Sequence, residues 1–295
     1  MKSISECPVC GGHSFAEVFP SSYSGTLEQA AAYFLTDREK AVHGRIVRCG
    51  MCSFELTSPQ YEPEQYDQLY REVAKVERPP GRTRAVSVRY QGLADRAGAY
   101  VKCGRFLDFG CGDGHFLDHM PQFQGVGLEV RPGAVVGSNA NDRRIIVGEI
   151  EPAVTAGLLK PASFDFITTW DVLEHLPMLS RDVGLLRSLL KPGGWLFCSV
   201  PNVASFAAKL SGERWNCYLL EHLWYFSPAT LGAFFERQGF ATRAVRPFLF
   251  PADIVTLVSR IQQTYGVRLP VPKAIEGWTL PLPAGVMFGA FQLKS

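Results

Sequence analysis

Leu107-Asp108-Phe109-Gly110-Cys111-Gly112-Asp113-Gly114-His115-Phe116-Leu117 is the stretch on which the fold turns. Arg105 to Phe109 is an apolar run that reads as a strand, and a helical pattern follows the glycines. Glycines at 110, 112 and 114 let main chain approach a ligand closely and adopt φ > 0. A dinucleotide fingerprint, Gly-x-Gly-x-x-Gly, places its third glycine where this chain has His115. Gly-x-Gly-x-Gly suits a ligand with no pyrophosphate to seat on the helix N-terminus. Asp108, just before the turn, can face the positive end of such a ligand, and Cys111 lies inside the loop.

Outward from this turn, strands and helices alternate, as in a parallel sheet covered on both faces. Strands are expected at 125–130, 144–147, 164–170 and 195–200. A helix over 185–190 stops at Lys191-Pro192-Gly193-Gly194. Ser227-Pro228 opens another, with Leu231, Phe234 and Phe235 as its apolar stripe and Gly239 at its end. Thr242–Phe248 and Met287–Leu293 read as the last two strands, and Pro270, Pro272, Pro281 and Pro283 break the region between into loops. Glu129 ends the second strand, 17 residues after Gly112, where a carboxylate can accept hydrogen bonds from ribose hydroxyls.

Asp-x-Gly-x-Gly-x-Gly with a downstream acid resembles class I S-adenosylmethionine (SAM) dependent methyltransferases. The resemblance continues through Phe164-Asp165-Phe166-Ile167, Asp171-Val172-Leu173-Glu174-His175-Leu176 and Leu190-Lys191-Pro192-Gly193-Gly194. It implies an α/β, Rossmann-like seven-stranded sheet whose last strand pair is antiparallel. It also implies that Asp108, Gly110, Cys111, Gly112 and Gly114 line the methionine end of SAM, that Glu129 holds the ribose, and that Glu149 and Ile150 flank the adenine. Trp170 and Asp171 would face the sulfonium. Trp170 could add cation–π attraction there, or simply pack in the core.

Near the N-terminus, Cys7-Pro8-Val9-Cys10 and Cys49-Gly50-Met51-Cys52 form two Cys-x-x-Cys knuckles. Four thiolates on two short turns match a closed, structural tetrahedral zinc site. His13 and His43 lie close enough in sequence to offer a substitute ligand. Cys103, Cys111, Cys198 and Cys217 have no partner spacing and are expected to be buried small hydrophobes. A four-cysteine ribbon ahead of such a domain is similar to bacterial sugar and secondary-metabolite methyltransferases. Glu221-His222-Leu223-Trp224-Tyr225-Phe226-Ser227 resembles the Glu-His-x-x-Tyr-Phe-Ser stretch of the sugar C-methyltransferases, where Glu and His belong to the catalytic centre. That likeness proposes His222 as general base, Glu221 orienting it and His175 assisting; the alternative is that Glu221-His222 only ties a strand to the sheet.

The 295 residues fit a 1–58 zinc-ribbon module, a 59–100 helical linker broken at Pro79-Pro80-Gly81, and a 101–295 methyltransferase domain. Lys+Arg 30 against Asp+Glu 28 leaves a net charge of +2, no footprint for general nucleic-acid binding. That argues against an RNA-modifying enzyme gripping substrate with its ribbon, the alternative to a small-metabolite enzyme. There is no apolar leader and no run near the roughly 18 residues of a membrane span, so a soluble, cytoplasmic protein is expected. Acceptor contacts are expected from 13–48, 60–90 and 202–226, where Phe206, Trp215, Tyr218, Trp224 and Tyr225 form either a pocket wall or core.

Overall fold

A computed structural model describes residues 1–34, 42–74, 84–131, 144–255, 258, 262, 267, 269–275 and 278–294. The Pro79-Pro80-Gly81 break lies outside them. The strands, in chain order, are β1 (Phe15–Phe19), β2 (Ile46–Cys49), β3 (Glu55–Thr57), β4 (Arg105–Phe109), β5 (Gln124–Glu129), β6 (Arg144–Val147), β7 (Phe164–Trp170), β8 (Leu190–Pro201), β9 (Trp224–Tyr225), β10 (Phe240–Asp253) and β11 (Thr279–Leu293).

Seven of them form one sheet in the order β10-β11-β8-β7-β4-β5-β6. β4 to β8 pair in parallel, and β11 inserts antiparallel between β8 and β10. This is the Rossmann-like seven-stranded sheet that the family resemblance implied. Chain order reverses at β4, whose neighbours are β5 and β7. The carboxyl ends of β4 and β7 therefore flank the crevice in which open α/β sheets bind ligands.

Both faces are apolar and covered, so the central strands carry continuous hydrophobic runs. Phe106 on β4 stacks on Phe166 of β7, with centroids 4.9 Å apart and planes within 1°. The helix Pro228–Arg237 starts as its sequence says: Ser227 accepts from Thr230 N, Thr230 reciprocates, and Pro228 sits in the first turn. It buries Leu231, Phe234 and Phe235, and Phe235 stacks 3.9 Å from Phe291 of β11.

Two expectations need correction. β11 runs through Pro281 and Pro283 rather than breaking there, whereas Pro270 and Pro272 lie outside strands as expected. β10 is the sheet edge, and β11 meets β8 only from Val286 onward. Pro281 and Pro283 therefore lie where a missing N–H can face outward without breaking a ladder. Cys103 is exposed rather than buried, because it sits on the turn entering β4, and Cys217 is only half-buried; Cys111 and Cys198 are buried as expected.

The cysteine region forms a second sheet, antiparallel throughout, in the order β1-β2-β3-β9. Its fourth strand, Trp224–Tyr225, comes from the far side of the chain. Glu6 also pairs with Arg237 at 3.2 Å. The helices Pro63–Ala74 and Arg84–Gly98 occupy the stretch read as helical linker. Among the described residues no helix is long and apolar enough to cross a membrane.

Candidate active site and four-cysteine centre

The glycine loop leaves β4 and is pinned to β5. Gly110 and Cys111 N–H both donate to Leu128 O, at 2.8 and 3.1 Å. Gly110 (φ +76) packs so closely that a Cβ would collide with Val172 Cγ2, whereas a Cβ at Gly112 (φ +56) would meet nothing within 4 Å. Gly148, after β6, likewise borders open space. The crevice wall is thus bare main chain, as a cradle for a flat, polar ligand requires. A 3-10 turn, His115–His119, follows with Gly114 (φ 74) at its N-cap.

Glu129, 3% exposed, ends β5 beside this loop. It accepts from Gly112 N at 2.8 Å and from Arg131 N and Nε at 2.9 and 3.0 Å. Asp108 is buried and accepts from Thr168 Oγ1 at 2.7 Å. Burial pushes its carboxyl up to about 7; the Thr168 bond pulls the other way and nearby Glu129 adds to the rise. Glu149 is exposed and precedes the buried Ile150 in the turn after β6.

At the end of β7, Asp171 adopts φ 54 and accepts from Ser199 Oγ at 2.7 Å and from Arg89. Sequence reasoning missed Arg89, whose helix sets it against Asp171 and Ser199; a lone arginine in a polar helix carries no local signal. Trp170 packs its ring on Phe116 and Phe288 in the apolar layer. Phe206 is exposed, whereas Trp215, Tyr218, Trp224 and Tyr225 are buried core.

One loop links the two halves of the site. Val172 touches Gly110, and the next turn, Leu173–His175, meets the segment before β9. Leu223 N donates to Glu174 O at 2.7 Å, and Trp224 Nε1 donates to Leu176 O at 2.7 Å. These bonds bring His175 and His222 together, rings 4.6 Å apart. Glu221 is buried next to His222, and its carbonyl lies 3.1 Å from His175 Nδ1. Glu174, not singled out from sequence, joins the same cluster.

Cys7, Cys10, Cys49 and Cys52 converge, every Sγ within 4.8 Å of the others. Cys7 and Cys52 Sγ are 3.6 Å apart, as are Cys10 and Cys49 Sγ. Tetrahedral zinc at about 2.3 Å from each sulfur needs roughly 3.8 Å between sulfurs, so the group fits. Burial opposes the Cys49 thiolate, but the backbone N–H groups of Cys52 and Met51 and the neighbouring thiols bring it down to about 7. His13 and His43 are engaged elsewhere, at Ser5 O and Gly44 O.

The sheet order, the reversal at β4 and the glycine cradle define a class I SAM-dependent methyltransferase. The methyltransferase-domain family matches residues 60–245, and the chain belongs to it. It is similar to the ubiquinone biosynthesis O-methyltransferase of Paraburkholderia phymatum, 29% identical over 160 residues, which span 50% of this chain and 69% of that protein. A Paraburkholderia xenovorans protein of the same name is 25% identical over 166 residues, 52% of this chain and 72% of its own. In fold it is similar to Burkholderia thailandensis 1,6-didemethyltoxoflavin-N1-methyltransferase, solved with 1,6-didemethyltoxoflavin and S-adenosylhomocysteine. That superposition has TM-score 0.52 and 14% identity and covers 82% of this chain and 96% of the other.

Proposed function

We propose that this methyltransferase acts on an oxygen, nitrogen or activated carbon of a small metabolite, a hydroxyl-bearing ring first among them. The observation that carries this reading is the pairing of half-buried His175 with buried His222, linked to the glycine cradle through a single loop. Bound SAM supplies an electrophilic methyl group on a sulfonium.

Gly110, Cys111, Gly112 and Gly114 border its methionine end, Asp108 and Asp171 place negative charge near its positive groups, and Trp170 closes the wall behind. Glu129 holds the ribose, exchanging part of its present hydrogen bonding for the sugar hydroxyls. Glu149 and Ile150 flank the adenine. On the acceptor side His222, oriented by the segment containing Glu221 and assisted by His175, takes up the acceptor's proton, the step a hydroxyl or carbon acid adds to an in-line displacement. The similar proteins are named ubiquinone biosynthesis O-methyltransferases, which supports oxygen as the acceptor atom.

The four cysteines hold a structural zinc ion; all four ligands are protein thiolates, which leaves no position for water. Calorimetric titration of the zinc-loaded protein with SAM and S-adenosylhomocysteine is the test, followed by a screen of phenolic, sugar and amine acceptors. Micromolar cofactor binding with methylation of such acceptors is expected; methylation confined to RNA would replace the small-metabolite reading.

A further inference from the structure

The cluster on the acceptor side is built in a way that proton transfer alone does not require. One donor atom from each of Glu174, His175 and His222 lies within 4.8 Å of the other two. Glu174 and His222 are buried and His175 is partly so. The two imidazole planes stand at 83° to each other, so the rings are not stacked.

Each ring is oriented through its Nδ1 by a backbone carbonyl. His175 Nδ1 is 3.1 Å from Glu221 O, and His222 Nδ1 is 2.8 Å from Cys217 O. A carbonyl only accepts, so each Nδ1 bears a hydrogen, which makes Nε2 of each ring the atom that would coordinate. Metal-ligating histidines are held in this way, the far nitrogen donating to a carbonyl that fixes tautomer and ring plane. Two such rings and one carboxylate make a three-donor N/N/O set with coordination positions left over for exchangeable ligands. The two chain segments that carry the donors are already locked together by the Leu223 N to Glu174 O bond and the Trp224 Nε1 to Leu176 O bond. Little ordering would accompany ion capture.

We propose that Glu174, His175 and His222 form a divalent-cation site separate from the four-cysteine centre, at the acceptor end of the crevice. The donor set suits Mn²⁺, Fe²⁺, Co²⁺ or Zn²⁺ better than Mg²⁺, which prefers oxygen ligands. The remaining positions take two neighbouring oxygens of the acceptor, which narrows the acceptor to a vicinal diol or a ring with adjacent oxygens. The inference rests on the methyl-transfer reading and deepens it: in the ion-bound form the histidines are ligands. The acceptor hydroxyl then loses its proton to solvent, and its oxygen forms the new O–C bond as the C–S bond breaks and the electron pair returns to sulfur.

The test uses protein whose zinc content is counted by atomic emission after a mild chelator has removed exchangeable ions. Mn²⁺ is then titrated and free ion followed by electron paramagnetic resonance, for the wild type, Glu174→Gln, His175→Gln and His222→Gln. One Mn²⁺ per chain is expected for the wild type, with at least tenfold weaker binding in each variant, while zinc content and calorimetric SAM affinity stay at wild-type values. A wild type that takes up no Mn²⁺, Co²⁺ or Zn²⁺ beyond the cysteine zinc overturns the site, and so do variants that bind Mn²⁺ as tightly as the wild type. SAM binding separates the two claims: SAM uptake without the second ion removes only the site, and ion uptake without SAM removes only the methyl-transfer reading.

Discussion

Thr57 holds His222 at the start of the neighbouring strand: its hydroxyl donates to the His222 carbonyl at 3.0 Å, and its N–H donates to Leu223 O at 2.9 Å. Thr57 ends β3, the strand that follows Cys52. On the same strand Glu55 accepts from the Tyr218 hydroxyl at 2.7 Å and pairs with Arg48 at 2.7 Å. The cysteine module thus braces the loop that carries His222.

Thr57→Val keeps the shape of a buried side chain and removes one of these bonds. The Tyr225 hydroxyl still donates to His222 O at 2.9 Å, so the loop stays attached but less well held. A buried hydrogen bond is worth about 1 kcal/mol net, so kcat should fall roughly fivefold with SAM affinity unchanged. Steady-state kinetics beside calorimetry measure the split; an unaltered kcat would remove the bracing role.

Loss of the four-cysteine centre should reach the His222 loop by the same route. Cys49→Ser should bring the metal content from about one zinc per chain to none and lower the melting temperature by roughly 10 °C or more, because structural zinc contributes folding free energy directly. Methyl transfer should decline before SAM binding does, since the glycine cradle belongs to the other sheet. Wild-type protein purified with zinc present yet containing none would end the metal assignment.

Asp108 makes the molecule pH-dependent. Burial raises its carboxyl to about 7 in the folded chain, against about 3.9 unfolded. Between those values the folded state holds a proton that the unfolded state has lost. Stability from this group therefore falls as pH rises from about 4 to 7 and is level above. Bound SAM brings positive charge near Asp108 and favours the carboxylate, so SAM affinity should increase from pH 6 to 8, by up to about tenfold. Asp108→Asn should flatten both profiles. Calorimetry in buffers of different ionisation enthalpy would show proton release on SAM binding for the wild type only.

Gly110 and Gly112 should fail in different ways. Gly110→Ala must adopt φ +76 and displace Val172, so it should lower the unfolding midpoint by about 2–3 kcal/mol equivalent. Gly112→Val points into open space, so the chain should fold with a modest backbone penalty of about 1–2 kcal/mol and lose most SAM affinity. Chemical denaturation and SAM titration distinguish the two; a Gly112→Val protein that binds SAM normally would show that the ligand does not approach that main chain.

The local signals were strong where one short segment carries its own physical cause. The turn at 110–114, the cap at Ser227-Pro228 and the two cysteine knuckles each specify backbone geometry or ligand chemistry within a few residues. Arg89 gave no such sign, because its partners Asp171 and Ser199 lie far along the chain. Glu174 stood beside His175 in plain view, but nothing local says that its carboxylate turns toward His222 rather than solvent. The proline-containing end of β11 misreads for a related reason: whether a proline breaks a strand depends on whether a neighbour needs its N–H, which is a property of the sheet.

From its sequence alone the chain determined the class of sheet, the glycine turn after β4 and the pairing of two thiol knuckles, since these follow from periodicity, steric allowance at glycine and short-range spacing. Only the tertiary structure decided that Trp224–Tyr225 completes the cysteine module's sheet, that Thr57 grips the His222 loop, and that Glu174, His175 and His222 meet. Such contacts join residues far apart in the chain. They arise when distant segments pair and pack, and no local preference of either partner encodes them.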